Sequence, residues 1–270
     1  MRTIETTGKV YLIGAGPGDP KLLTVKASEV LGRCDVIVYD YLVNPEVLVY
    51  SRRGAELIYV GKRAGEPSST QDEINRILIE RARRGEIVAR LKGGDPFIFG
   101  RGGEEAEALV EANIPWEVVP GVSAGIAGAA YAGIPLTHRD YSSSVAFITG
   151  HTRRNRTEGI DWSRAAHAAE TLVVFMCAET IAGIARQLIQ HGRELRTPIA
   201  IIRWATYEHQ EIYSGTLEEV AALDAVSGVC SAQIAPPAIA VVGDVVNLKD
   251  KLHWFGLPAF GIADAEPVET

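Results

Sequence analysis

The sequence predicts an α/β fold of two domains, the first on a mostly parallel sheet and the second on a mixed one. Three observations carry this. Short apolar runs alternate with helical patterns through the first half, the signature of a parallel sheet covered on both faces. Glycine-rich turns follow several of those runs, which places them at the carboxyl edge where such sheets bind ligands. A second cycle of runs and helices then starts after Gly133, Ile134, Pro135, Leu136 and Thr137, which sets the expected boundary between domains 1–136 and 137–270.

In chain order, residues 10–13 (Val10, Tyr11, Leu12, Ile13) read as a buried strand, and Gly14, Gly16 and Gly18 let the backbone turn sharply or approach a ligand closely. Asp19 and Pro20 read as the N-cap and first residue of a helix running to about Leu31. Strand, glycine turn and helix together suggest a dinucleotide-binding turn, but Asp19 stands where a third glycine belongs, so a cationic or zwitterionic ligand fits better than a phosphate. Strands follow at 35–39, ending at Asp40, and at 56–60, ending at Gly61, Lys62 and Arg63. Thr70 and Glu73 have capping-box spacing, Ile74, Ile77 and Leu78 continue at helical intervals, and Gly85 stops that helix. Residues 86–91 lead into a second glycine loop, Lys92, Gly93, Gly94, Asp95, Pro96 and onward to Glu105. Residues 116–119 precede Pro120, Gly121, Val122, Ser123, Ala124 and a helix of small residues.

The second cycle has strands at 144–149, 171–176, 198–203 and 238–242, with helices at 181–191 and 217–225. Residues 211–216 alternate sides and predict an antiparallel strand, which makes the second sheet mixed. Past Phe255 the Gly-, Pro- and Glu-containing tail is expected to fray.

Composition narrows the function. With 47% apolar and 23% charged residues the chain has the make-up of a soluble globular protein, and its longest apolar runs are too short to span a membrane. The first eight residues lack the apolar core of a signal peptide, so a cytoplasmic protein is expected. Cys34, Cys177 and Cys230 are scattered and form no close pair, which predicts buried thiols rather than disulfides or a zinc site. The six histidines show no paired spacing, so no metal is expected. A formal charge of −7 argues against nucleic acid as a partner, while an anionic small substrate remains compatible with locally concentrated arginines.

The ordered set Gly14 to Pro20, Val38-Tyr39-Asp40, Gly61-Lys62-Arg63, Leu91 to Pro96, Pro120 to Ala124, and Pro237-Ala238 with Val241-Val242-Gly243 closely resembles the tetrapyrrole methylases, and among them the uroporphyrinogen-III C-methyltransferases. The likeness covers about residues 9–255. It implies two α/β domains with S-adenosyl-L-methionine in the cleft between them, commonly as a homodimer, and two methylations of uroporphyrinogen III to precorrin-2 on the way to sirohaem, cobalamin or haem d1. Multifunctional relatives carry an additional N-terminal dehydrogenase and ferrochelatase module. With about eight residues before the first strand, this chain is expected to methylate only.

Methyl transfer from a sulfonium is an in-line displacement, so a catalyst gains mainly by positioning the two reactants and excluding water. A proton must leave the macrocycle after each methylation, and a placed acid or base assists. Asp40 and Lys62 match the family's proton-handling pair, and a carboxylate near an ammonium stays ionised and basic. An ion pair without catalytic role is the plain alternative for both. For the donor, the resemblance implies Pro17, then Gly93, Gly94 and Asp95 with Ile98, then Ser123 and Ala124. From the second domain it implies Met176, Ala205 and Ala238. Ser123 stands where many relatives have threonine, and Met176, at the end of an apolar strand, reads as core on sequence alone. The acceptor's carboxylates call for arginines with a planar, permanently charged fork. Arg101 and Arg139 are the candidates, with Arg63, Arg153, Arg154 and Arg156 secondary. Glu104 reads either as a contact to substrate pyrrole N–H groups or as a favourable charge at a helix start. The alternatives are a tetrapyrrole methylase acting on a later corrin intermediate and, from another class, a nicotinamide-dependent oxidoreductase, against which Asp19 counts.

Overall fold

Apolar runs bounded by glycine turns pair here into two five-stranded sheets. The computed structural model describes residues 8–61, 69–150, 160–223 and 234–256. In the first sheet β1 (Lys9–Gly14), β2 (Val36–Tyr39), β3 (Glu56–Tyr59), β4 (Ile87–Lys92) and β5 (Trp116–Val119) lie in the order β3-β2-β4-β1-β5, all parallel. Its helices are α1 (Val25–Leu31), α2 (Gln71–Arg83) and α3 (Gly102–Glu111). Tyr11 and Ile13 of β1 pack with Ala27, Val30 and Leu31 of α1. Val10 and Leu12 point the other way, into Ile74 and Leu78 of α2 and Leu109 of α3. Both faces are therefore buried, which is why β1 reads as a continuous apolar run rather than an alternating one.

The second sheet has the order β6-β7-β10-β8-β9, from β6 (Val145–Thr149), β7 (Thr171–Phe175), β8 (Pro198–Arg203), β9 (Glu211–Thr216) and β10 (Ala238–Val242). It is mixed: β6 and β7 are parallel, β10 runs antiparallel to both neighbours, and β9 is antiparallel to β8. One face packs on α5 (Trp162–Ala165), α6 (Ile181–Gln190) and α7 (Leu217–Ala221). The other packs on Ala129 of α4 (Ala124–Tyr131) and on Ala132 and Ile134 just beyond it. The helix that follows the last strand of the first sheet is thus seated on the second.

All ten strands among the described residues lie within a residue of their sequence-derived bounds, because each is a short apolar run or, in β9, an alternating one. The first helix needs correction. Asp19 caps only a short 3₁₀ turn, Pro20–Leu22, with its carboxylate accepting from the Lys21 N–H at 2.9 Å. Leu23 is extended, and Thr24 caps α1 separately by accepting from the Ala27 N–H at 3.2 Å. The predicted helix 217–225 ends at Ala221, and positions 224–225, like Cys230 and the tail from 257, lie outside the described residues.

Candidate active site

A parallel sheet sends every strand-end loop to the same edge. In the second sheet the carboxyl ends of β7 and β8 share an edge with the amino end of antiparallel β10, where Ala238 is opposite Arg203 and Ile239 opposite Phe175. These two edges face each other across a cavity of about 600 Å³, within the roughly 300–1,000 Å³ of small-molecule sites. All ten residues that the sequence places around a donor line it: Pro17, Gly93, Gly94, Asp95, Ile98, Ser123 and Ala124 on one side, Met176, Ala205 and Ala238 on the other. Asp40 and Arg101 line it as well.

The first three glycine loops meet backbone to backbone. A Cβ on Gly14 would stand 2.5 Å from both Gly121 and the Gly94 carbonyl oxygen, so only glycine permits the approach. Gly94 N–H donates to Gly16 O at 2.7 Å, and Gly16 N–H returns to Gly94 O at 3.3 Å. At Gly94 itself conformation makes the demand: φ is +66°, while an added Cβ would meet nothing closer than Ala124 N at 3.8 Å. The backbone there is open to a ligand. Asp95 braces this junction, accepting from Gly121 N–H at 3.0 Å and from Phe97 N–H at 2.8 Å through different oxygens. Each oxygen keeps a lone pair for a ligand.

Six described non-glycine residues have positive φ, and four of them, Phe99, Arg101, Met176 and Trp204, line the cavity. Such conformations cost on the order of 1–3 kcal/mol each and concentrate where function demands a placed side chain or backbone. A fifth, Thr206, accepts from Asp19 N–H at 2.8 Å and ties the first glycine turn to the second sheet. Met176, core-like in sequence, is 45% exposed at the cavity wall. The left-handed turn at the end of β7 swings it out of the sheet.

The floor is charged. Side chains of a strand alternate faces, so Arg90 and Lys92 point with Val88 toward α2 and α3, and Asp40, one residue past β2, continues the face of Val36 and Val38 beside them. Arg90 is 3% exposed and fully engaged: Nη2 donates to Asp40 Oδ2 at 2.8 Å, Nε to Glu105 Oε1 at 3.1 Å and Nη1 to the Leu91 carbonyl at 2.9 Å. Asp40 Oδ1 also accepts from Leu42 N–H at 3.1 Å. Glu105, fully buried in the first turn of α3, takes three donors on Oε1: Arg90, then Lys92 at 2.9 Å and Gln71 at 3.2 Å. Burial pushes the Lys92 ammonium below its ordinary value, helped by the Arg90 charge and opposed by Glu105 and Asp40.

Arg90, Lys92 and Glu105 are the residues that sequence reasoning missed. The signal was there: a strand buried on both faces has charges at alternate positions, with an acid in the next helix to match. The partner expected for Asp40, Lys62, lies outside the described residues, as do Arg63, Arg153, Arg154 and Arg156. Among the described residues, Arg90 holds the carboxylate. Arg101 forks onto Glu104, with Nε 3.1 Å from each carboxylate oxygen, and this bond raises the Arg101 pKa further. Glu104 does not line the cavity, and Arg139 sits exposed on the turn closed by the His138–Ser142 bridge, also outside it. Cys34 and Cys177 are buried thiols, each pushed up to about 12 by desolvation. Among the described residues no group of three His, Cys, Asp or Glu could hold a metal ion, and no helix is long and apolar enough to cross a membrane.

Comparison with known proteins agrees with this geometry. Residues 9–221 match the model of the family described as Tetrapyrrole (Corrin/Porphyrin) Methylases. A siroheme synthase of Pseudomonas putida is 48% identical over 252 residues, which is 93% of this chain and 53% of that protein. The chain thus spans about half the length of the curated relatives it matches. The crystal structure of a uroporphyrin-III C-methyltransferase from Thermus thermophilus, complexed with S-adenosyl homocysteine, superposes with a TM-score of 0.76 at 39% identity, covering 89% of this chain and all of that one. A cobalt precorrin-4 methyltransferase superposes with a TM-score of 0.75 at 29% identity, over 88% of this chain and 95% of that one.

Proposed function

The chain belongs to the tetrapyrrole (corrin/porphyrin) methylases, and on that premise we propose that it methylates uroporphyrinogen III twice, through precorrin-1, to give precorrin-2. The observation that carries this reading is the full-length likeness to the Thermus thermophilus uroporphyrin-III enzyme, at higher identity than to the cobalt precorrin-4 enzyme. When bound, S-adenosyl-L-methionine supplies a methyl group on a sulfonium. The residues present suit it: an open, positive-φ Gly94, small Ala124, Ala205 and Ala238 that leave backbone groups accessible, and apolar Phe175 and Ile202 at the wall.

In this reading each part of the chain has a separate task. The glycine junction and the second-sheet edge hold the donor and keep water from the reacting carbon. Asp40 accepts the proton that leaves the acceptor, and Arg90, bonded to one oxygen, orients it, while the other oxygen accepts from Leu42 N–H. Lys62 is proposed as its proton-handling partner. Arg101, held open by Glu104, and Arg139 meet acceptor carboxylates, with Arg139 doing so only for a substrate that extends past the cavity mouth. We further propose a domain boundary near residue 137, a homodimer and a cytoplasmic location.

The test is incubation of the purified protein with uroporphyrinogen III and methyl-labelled donor, counting methyl groups by mass. Two per macrocycle are expected. No transfer to uroporphyrinogen III, with transfer to a later corrin intermediate, would replace this substrate by that one. Tight binding of NADH in place of S-adenosylhomocysteine would overturn the enzyme class.

A further inference from the structure

The mechanism above leaves one charge of the cavity floor without a task. Lys92 is only 5% exposed yet lines the cavity. Its ammonium has three N–H donors, and among the described residues it has one acceptor, Glu105 Oε1 at 2.9 Å. That oxygen already serves Arg90 and Gln71, while Glu105 Oε2, buried, accepts from none of the described residues. Arg90 has its own partners and cannot turn toward a ligand without releasing Asp40. Lys92 can, because its flexible stem carries a point charge rather than a locked fork.

A buried ammonium with open N–H groups is costly until an acceptor arrives. We propose that Lys92 is an anion-receiving group on the floor of this cavity and takes a carboxylate of the bound ligand. The charged groups that face it are Glu105 on α3, Arg90 on its own strand and Asp40 beyond β2. Burial and Arg90 together outweigh the two carboxylates, so the charged form is under-stabilised in the free protein. An incoming carboxylate corrects this. The inference rests on the functional reading above, in which both ligands carry the required group: the amino-acid end of the donor, or an acidic side chain of the macrocycle.

The experiment uses two stable probes, S-adenosylhomocysteine and the oxidised octacarboxylate uroporphyrin III, titrated calorimetrically into the wild-type protein, Lys92→Met and Lys92→Arg. One probe is expected to lose tenfold or more in affinity for Lys92→Met and to recover most of it in Lys92→Arg, and the probe affected identifies whose carboxylate is held. A carboxylate favours the charged form and raises the Lys92 pKa. At alkaline pH the wild type is therefore expected to take up a proton with that probe, seen as a dependence of the heat on buffer ionisation, and Lys92→Met is not. Should Lys92→Met fail to fold, Lys92→Met/Glu105→Gln removes both charges of the pair and is judged by the same criteria. Affinities within twofold of wild type for both probes, with unchanged proton uptake, overturn the inference. A wild type that binds neither probe overturns the functional reading instead.

Discussion

The two edges that form the cavity are built on opposite plans. The first sheet contributes charge: Asp40, Arg90 and Lys92 stand on one face of adjacent strands, with Glu105 behind them. The second contributes apolar surface, with Phe175, Met176, Ile202 and Trp204 along its rim, and it adds positive φ at Met176, Trp204 and Thr206 to that at Phe99 and Arg101 on the first-sheet side. A charged floor suits proton transfer and ionic contacts, whereas apolar walls and exposed backbone suit an adenosyl group and dryness. The difference teaches that one cavity can separate chemistry from holding: the charged floor comes from the first sheet alone, while the holding surface is shared between the glycine junction of the first sheet and the rim of the second.

That separation breaks most visibly at Asp40. Asparagine keeps its shape and its bond from Leu42 but cannot accept a proton, so turnover of Asp40→Asn is expected to fall about 10²–10⁴-fold. Single-turnover methylation followed across pH decides the point, and near-normal rates with an unshifted profile would leave Asp40 a positioning residue.

Glu105 tests whether the floor is also structural. Glu105→Leu leaves Arg90 and Lys92 buried without their shared carboxylate, and a loss of about 3–5 kcal/mol is expected from urea unfolding. A loss below about 1 kcal/mol would mean that water or the remaining carboxylate serves them equally well. On the holding side, Gly94→Val forces a β-branched residue to φ +66°. A strain of about 1–3 kcal/mol is expected to weaken S-adenosylhomocysteine binding by roughly ten- to a hundredfold, read by calorimetry. Gly94→Ala, with the same φ but an open space for its methyl group, is expected to lose less.

These expectations come partly from residues that the sequence made legible and partly from ones it did not. The described strands could be placed from apolar runs, or from alternation in β9, and a parallel sheet then brings Gly14, Gly94 and Gly121 to one edge whatever the loops between them do. The helix start at Thr24 was hidden by the stronger Asp19-Pro20 signal, which the chain spends on a single 3₁₀ turn. Met176 was ambiguous because periodicity describes a strand and says nothing of the left-handed residue that ends it. Arg139 was chosen for its charge and its nearness to a boundary, and nothing local encodes that it does not line the cavity. The Arg90–Glu105 pairing spans 15 residues across a loop, a distance that sequence spacing cannot bridge although the alternate charges in β4 announce that some partner exists.

The division of labour itself is tested most directly by a double-mutant cycle over Asp40→Asn and Gly94→Ala, with donor affinity and single-turnover methyl transfer measured on the same four preparations. Donor affinity is predicted to move only with Gly94, and the two effects on transfer to add within about 0.5 kcal/mol. A loss of donor affinity in Asp40→Asn, or a coupling well above that figure, would contradict the separation of chemistry from holding.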